Sequence, residues 1–295
     1  MIANYPSNFI PTNFITKALL IGDPISQSLS PTIHQYFLQQ HNLIGSYEAW
    51  QVSKQNLTST IKLLIEQRYA GFNITIPHKE EVFLLCNKLS KTADLIKAVN
   101  TVSILSDGSL YGHNSDAFGF YENLIKQQPN LILHNQQALI LGAGGASRAV
   151  LYSLIKAKMS NIFIVNRNET KLNKLILDFS SFAKKYCSNL IAINWQNIGN
   201  ILPNITLLVN TTSLGMINQA ELTLDFHNLN SKTTVYDIVY KPLYTNLLIQ
   251  AQKKDCPIIT GLDMLVYQAM SGFELWFKHK PIYEEKLKQL LLSKL

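Results

Sequence analysis

The sequence is short of several features, and each shortage removes a class of function. Cysteine occurs only at Cys86, Cys187 and Cys256 among 295 residues. Positions so far apart have no metal-ligand spacing, so reduced thiols in a cytoplasmic protein are expected, with no disulfide framework and no metal site. No uncharged apolar run is long enough to span a bilayer, and the N-terminus lacks a charged head followed by an apolar core. Neither a membrane partner nor a secretory leader is expected. Acidic residues number 19 against 26 basic ones, for a net charge of +7, yet the lysines are scattered, with doublets only at Lys184–Lys185 and Lys253–Lys254. Nucleic acid binding takes a clustered basic face, so the partners expected are anionic small molecules, not nucleic acid. There is no internal repeat and no low-complexity segment. The remainder, 47% hydrophobic and 15% charged, is the composition of a soluble globular protein long enough for two ordinary domains.

What is present centres on residues 137–150, QALILGAGGASRAV. Residues 138–141 are apolar enough for a buried parallel strand, and Ser147 onward reads as helix. Gly142 and Gly144 occupy the first two positions of the dinucleotide fingerprint, and Ser147 replaces its third glycine. A glycine turn after a strand lets the backbone approach a pyrophosphate, and the helix N-terminus that follows offers unpaired N–H groups and a favourable dipole. The bland reading is a tight turn that binds nothing. The next strand, residues 161–165, is followed by Asn166 and Arg167, where an NAD site would carry an acid for the ribose hydroxyls. Arginine cannot accept from a hydroxyl, but its fork of donors fits a 2′-phosphate, and Lys171 adds a second positive charge. This pattern reads as NADP rather than NAD, with Glu169 the one nearby residue against it; without the glycine turn, Arg167 and Lys171 would read as solvated surface.

Taken in order, the chain begins with an Asn- and Pro-rich stretch, residues 1–16, expected to be an extra arm before a strand at 17–21. Pro31 marks a helix start with Ser28 and Ser30 at its mouth, where hydroxyls cap a helix or hold a ligand carboxylate. A helix over 57–66 leads to a short strand from Gly71, whose alternation puts Asn73 and Thr75 on one face, with His78 and Lys79 past its proline. By composition alone His78 is a loop residue and Lys79 a solvated one. A helix over 92–98 runs into Asn100, then a hairpin turning at Asp107-Gly108. The polar run Gly112-His113-Asn114-Ser115-Asp116 precedes a helix over 118–126, for which Asp116 is a candidate N-cap. Strands follow at 190–194, at 207–209 with the polar tail Asn210-Thr211-Thr212-Ser213, and at 235–239 before Tyr240. The carboxyl ends of parallel strands are where open sheets bind ligands. A long apolar-striped helix over 264–277 holds Gln268, and an amphipathic helix is expected over 282–295.

The stretches SLSP, NITIPHKE, AVNTV, HNSDAFG, GAGGASRAV, NRNETK, NTTSLGM, YDIVYKPLYTNLL and GLDMLVYQA resemble, in order and spacing, the motifs of the shikimate dehydrogenase family, over nearly everything after the N-terminal arm. The resemblance implies an α/β enzyme that reduces 3-dehydroshikimate to shikimate with NADPH, a step of aromatic amino-acid biosynthesis. It implies an N-terminal α/β substrate-binding domain, residues 1–115 with 263–295, and a Rossmann-type doubly wound NADP-binding domain, residues 116–262, with the cleft between them catalytic. Monomer or homodimer is the expected assembly. Carried over by motif, Ser28 and Ser30 would hold the substrate carboxylate with Tyr240, while Asn73, Thr75, Asn100, Asp116 and Gln268 would take the ring hydroxyls and carbonyl region. Lys79 would be the catalytic acid and base, paired with Asp116. Gly142, Ala143, Gly144, Gly145 and Ala146 would cradle the pyrophosphate, and Asn166, Arg167 and Lys171 would surround the adenosine phosphate. Thr211, Thr212, Ser213, Ile238, Gly261 and Met264 would line the ribose and nicotinamide pocket.

Two departures from the family pattern stand out. Its NTDG reads Asn114-Ser115-Asp116-Ala117 here, which keeps a hydroxyl and the carboxylate but adds a methyl, and Asp263 stands where relatives often have glycine. Neither removes a reacting group. The rival readings are a quinate/shikimate dehydrogenase using NAD or NADP, against which the paired serines and Arg167 count, and a non-catalytic regulatory binding module, against which Lys79 and Asp116 count.

Overall fold

The computed structural model describes residues 15–295; most of the expected N-terminal arm lies outside the described residues. The chain divides into two compact units, one comprising the residues through Ser115 together with Ala269–Leu292, the other Asp116–Gln268 with Ser293–Leu295.

The first unit holds a six-stranded sheet of β1 (Thr16–Gly22), β2 (Gly45–Gln51), β3 (Gly71–Ile74), β4 (Lys88–Leu89), β5 (Thr101–Ile104) and β6 (Leu110–His113), in the order β2-β1-β3-β5-β6-β4. β1 is parallel to both β2 and β3, and β5 is antiparallel to β3 and β6. The β5–β6 hairpin turns at Gly108, whose φ is +80°, after Asp107, whose carboxylate accepts from the N–H and hydroxyl of Ser109. Four helices belong to this stretch: α1 (Ser30–Gln40), α2 (Leu57–Glu66), α3 (Lys79–Leu85) and α4 (Lys91–Ile96). Helix α2 lays Leu57, Ile61 and Leu64 onto Leu19, Ile21, Phe72 and Ile74 of the sheet. Helix α4 is capped by the Ser90 hydroxyl, which accepts from the Ala93 N–H, and ends at Ile96, two residues before the expected span closes, where Lys97 turns left-handed.

The second unit is doubly wound. Its strands are β7 (Gln137–Leu141), β8 (Asn161–Val165), β9 (Asn189–Ala192), β10 (Leu207–Asn210), β11 (Thr234–Asp237) and β12 (Ile258–Ile259), in the order β12-β11-β10-β7-β8-β9, with every pairing parallel. Alternate side chains serve opposite faces. Ala138, Ile140, Leu207 and Val209 pack with Phe120 and Leu124 of α5 (Asp116–Gln127), with Val150 and Leu154 of α6 (Gly145–Lys156), and with Leu172 and Leu175 of α7 (Glu169–Lys185). Leu139, Leu141 and Leu208 pack on the other face with Ile198 of α8 (Ile198–Ile201) and with Leu247 and Leu248 of α9 (Asn246–Gln252).

Helix α10 (Leu262–Phe277) crosses the division between the units at Gln268. Its later part belongs to the first unit, where the Trp276 indole donates to the Val102 carbonyl at 3.0 Å. The last helix, α11 (Glu285–Leu292), is shorter than the amphipathic pattern suggests. Its expected start is diverted because the Gln40 side chain takes both backbone groups of Ile282, accepting from its N–H at 2.9 Å and donating to its carbonyl at 3.1 Å.

Candidate functional site

In the second unit, β7 and β10 are neighbours from which the chain leaves in opposite directions, the switch point where doubly wound sheets open a ligand crevice. The glycine turn follows β7 there, and residues 211–213 follow β10. Gly142 has φ +113°, a conformation L side chains rarely adopt, and a methyl on it would come within 2.7 Å of the Thr211 hydroxyl. A methyl on Gly144 would meet nothing within 4 Å among the described residues, so this position faces open space. The loop is closed by hydroxyls in series. The Gly144 N–H donates to Ser147 Oγ at 3.2 Å, Ser147 and Thr211 share a 2.6 Å hydrogen bond, and Thr211 Oγ1 donates to the Leu141 carbonyl at 2.6 Å. With the Thr211 proton committed to Leu141, Ser147 must be the donor to Thr211. Ser147, which replaces the third fingerprint glycine, thus does the work of fastening the turn. Gly145 and Ala146 open α6, where first-turn N–H groups have no intrahelical acceptor.

A pocket at this edge is lined by Gly142, Ala143, Gly144, Asn166, Arg167, Thr211, Thr212 and Ser213, all expected at a cofactor site, and by Val165, Trp195 and Leu214, which sequence reasoning missed. Arg167 is exposed. Asn168 caps α7, its side chain accepting from the Lys171 N–H at 2.9 Å, so Glu169 and Lys171 both stand in the first helical turn. There the helix dipole favours Glu169 and gives no benefit to the lysine. Lys171, Gly145, Ala146, Ile238, Gly261 and Met264 are not among the residues lining this pocket. The β10 tail is held by Asn210, which donates to Asp237 Oδ1 at 2.9 Å and accepts from the Thr212 N–H and hydroxyl. Burial raises the Asp237 carboxyl to about 6, opposed by hydrogen bonds from Thr245, Val239 and Asn210. Glycine at 261 permits a backbone crossing: a methyl there would lie 2.0 Å from the Ile238 carbonyl oxygen.

In the first unit, Ser28 Oγ accepts from the Ser30 N–H at 3.2 Å, and Ser30 is the first residue of α1. Asn73 is buried, its amide fixed on three sides. The Tyr47 hydroxyl donates to Oδ1 at 2.6 Å, and Nδ2 donates to the Asn100 carbonyl at 3.1 Å and to Thr101 Oγ1 at 3.0 Å. Both amide protons are spent, so the capacity left for a ligand is a lone pair on Oδ1. Thr75 lies just past β3, its N–H donating to the Ile21 carbonyl. Lys79 is half-buried at the start of α3. The residue before it lies in the connection to α3, as expected, but is fully buried there: His78 Nε2 is 2.7 Å from the Val52 carbonyl, so it is a donor that ties the α3 entrance to the chain after β2. No local pattern could reveal this, since its partner lies in another segment. Asn100 is buried, its carboxamide bonded to Ser115 through the Ser115 N–H at 2.8 Å and hydroxyl at 3.0 Å. The hydroxyl retained at position 115 therefore orients Asn100.

Asp116, in the second unit, is buried at the first position of α5. Tyr240 is half-buried, and Gln268 is half-buried with Nε2 donating to the Leu265 carbonyl at 3.1 Å.

Three family descriptions match consecutive parts of this chain: shikimate dehydrogenase substrate binding domain over residues 20–102, shikimate / quinate 5-dehydrogenase over 123–239, and shikimate 5'-dehydrogenase C-terminal domain over 261–290. The shikimate dehydrogenase (NADP(+)) of Nitrosopumilus maritimus is 41% identical over 272 residues, 92% of this chain and 97% of that protein. The chain belongs to the shikimate dehydrogenase family. Among solved structures, the shikimate 5-dehydrogenase of Thermus thermophilus in complex with NADP(H) and shikimate superposes with a TM-score of 0.82 at 31% identity, covering 95% of this chain and all of that one. The quinate dehydrogenase of Corynebacterium glutamicum in complex with NAD reaches 0.85 at 25% identity, covering 95% and 99%.

Within the shikimate dehydrogenase family pattern, the two departures have local explanations. Ala117 is buried as the second residue of α5, and its carbonyl accepts from Ser153 of α6 at 3.1 Å; a helical position suits alanine better than glycine. Asp263 accepts from the Gln127 amide at 2.6 Å, which gives its buried carboxylate a partner inside its own unit.

Proposed function

We propose that this protein catalyses the reversible, NADP-dependent reduction of 3-dehydroshikimate to shikimate in the pathway to aromatic amino acids. The observation that carries the cofactor choice is Arg167, exposed in the pocket that also holds the glycine turn, at the strand end where an NAD site would place an acid. A guanidinium there matches a 2′-phosphate, and the Lys171 charge in the adjacent helical turn suits the same anion. The open space at Gly144 and the first-turn N–H groups of α6 fit a pyrophosphate.

Held there, the dinucleotide would supply a hydride to the ketone carbon of the substrate. The ketone oxygen becomes an alkoxide as it does so and needs a positioned proton donor. Lys79 fills that role: its ammonium stabilises the developing charge and delivers the proton, and in the oxidising direction its amine takes the hydroxyl proton. Ser28, Ser30 and Tyr240 hold the substrate carboxylate through hydroxyl donors. Thr75, Asn100, Asp116 and Gln268 take the ring hydroxyls, and Asn73 joins them as an acceptor, since its two amide protons are already committed. A hydroxyl, which donates, satisfies Asn73; a bare carbonyl at that position would not.

Lys79→Ala tests the assignment. Loss of a general acid and base lowers turnover roughly 10²-fold or more, measured as shikimate oxidation by a variant shown by circular dichroism to be folded. Unchanged turnover in the folded variant removes Lys79 from the role.

A further inference from the structure

We propose that Trp195 is the surface on which the adenine ring of the dinucleotide stacks. This rests on the NADP reading above and extends it to a residue that no motif of the family supplied. Strand β9 ends at Ala192, earlier than its apolar run suggests, and Trp195 opens a short 3-10 turn beyond it. The register of the parallel sheet then decides where the indole belongs. Ile164 of β8 pairs with Ala192 of β9, so Arg167 and Trp195 each lie three residues beyond the same pair, at the same edge of the sheet. Both line the pocket that contains Gly142 and Gly144. The phosphate-binding features sit towards β7 and the indole towards the outer strand, on the far side of Arg167 in strand order.

The indole is also held as a platform should be. Trp195 is half-buried and packs against the core formed by Leu141, Val165, Ile198 and Leu202, which limits its rotamers before any ligand arrives. A large aromatic side chain fastened by one edge and open to a pocket loses little entropy on binding, and adenine presents a π face that needs no hydrogen-bond readout. Arg167 in the same pocket adds a guanidinium, which stacks on aromatic faces as well as pairing with phosphate. A tryptophan that served the core alone would have no reason to line the pocket beside the phosphate-binding turn.

The sequence provides its own reporter. Of three tryptophans, Trp50 and Trp276 belong to the first unit, and Trp195 is the one in Asp116–Gln268. Adenosine 2′,5′-bisphosphate carries the adenine and the 2′-phosphate without nicotinamide, and nicotinamide mononucleotide is the reverse. The bisphosphate should quench tryptophan emission of the wild-type protein saturably, and the mononucleotide should not. In Trp195→Leu the quench should vanish, and the dissociation constant for the bisphosphate, measured by calorimetry, should rise roughly 5- to 100-fold. Trp195→Phe keeps an aromatic face, so it should bind within about threefold of wild type without the fluorescence change; it carries the test if the leucine variant does not fold. Tight binding of the bisphosphate to wild type with no change in emission, or equal affinity in Trp195→Leu, overturns the assignment of Trp195 while leaving the cofactor reading intact. Failure of the bisphosphate to bind wild type at all overturns both.

Discussion

His34 shows most sharply what burial alone does to a titratable side chain here. The ring is fully buried in the first unit, stacked on Tyr47 with centroids 3.7 Å apart and near Phe37, Phe273 and Trp276. Among the described residues, neither ring nitrogen has a hydrogen-bond partner. Burial lowers its pKa to about 3, and His113 is lowered for the same reason to about 4. A depressed folded-state value stabilises the fold above the unfolded value near 6.5, and that contribution drains away as pH falls towards the folded values, because only the unfolded chain takes up the protons. Each such histidine costs about 1.4 kcal/mol per pH unit in that window. His34→Phe removes one of them and replaces an unsatisfied buried group by an apolar ring, so stability at pH 7 should be equal or higher. Between pH 6.5 and 5 the wild-type protein should lose about 2 kcal/mol more than the variant. Urea unfolding at the two pH values measures this, and equal losses would show that His34 is protonated in the fold.

At the scale of elements, two glycines with the same missing methyl should answer oppositely when it is restored. Gly261 lets the chain between β12 and α10 cross the Ile238 backbone, and a backbone carbonyl cannot swing aside. Gly261→Ala should lower stability by about 1–3 kcal/mol or more, read as a reduced melting temperature. Gly144 faces open space, so Gly144→Ala should melt near wild type while weakening NADP, because the methyl fills the room through which a pyrophosphate approaches. A Gly144→Ala variant with unchanged NADP affinity would mean that the pyrophosphate does not lie against this turn. These elements were largely legible in advance, since residues 138–141 and 207–209 are apolar runs too short for helices and the glycine turn is local chemistry. The parts that were not legible depend on distant partners. The start of α11 is set by Gln40, His78 is anchored by Val52, and Trp195 enters the pocket because of where β9 stops and which strand it pairs with.

For the whole molecule, the order of motifs was readable because each lies at a strand or helix terminus, where a short run of residue types carries its own geometry. The return of Ala269–Leu292 to the first unit from the far end of the sequence, through a helix that serves both units, has no local signature and was expected only from the family resemblance. The fold does not decide the substrate by itself, since a quinate dehydrogenase shares it. On the proposed assignment, discrimination would fall instead to side chains: hydroxyls at Ser28 and Ser30 for the carboxylate, an Asn73 whose amide protons are committed, and Arg167 for the 2′-phosphate. The most direct test follows the absorbance of reduced nicotinamide when the purified protein meets shikimate or quinate, each with NADP and with NAD. The account predicts strong signal with shikimate and NADP and little in the other three combinations. Equal signal with NAD would contradict the role given to Arg167, equal signal with quinate the substrate, and silence in all four combinations despite tight binding of shikimate would contradict catalysis itself.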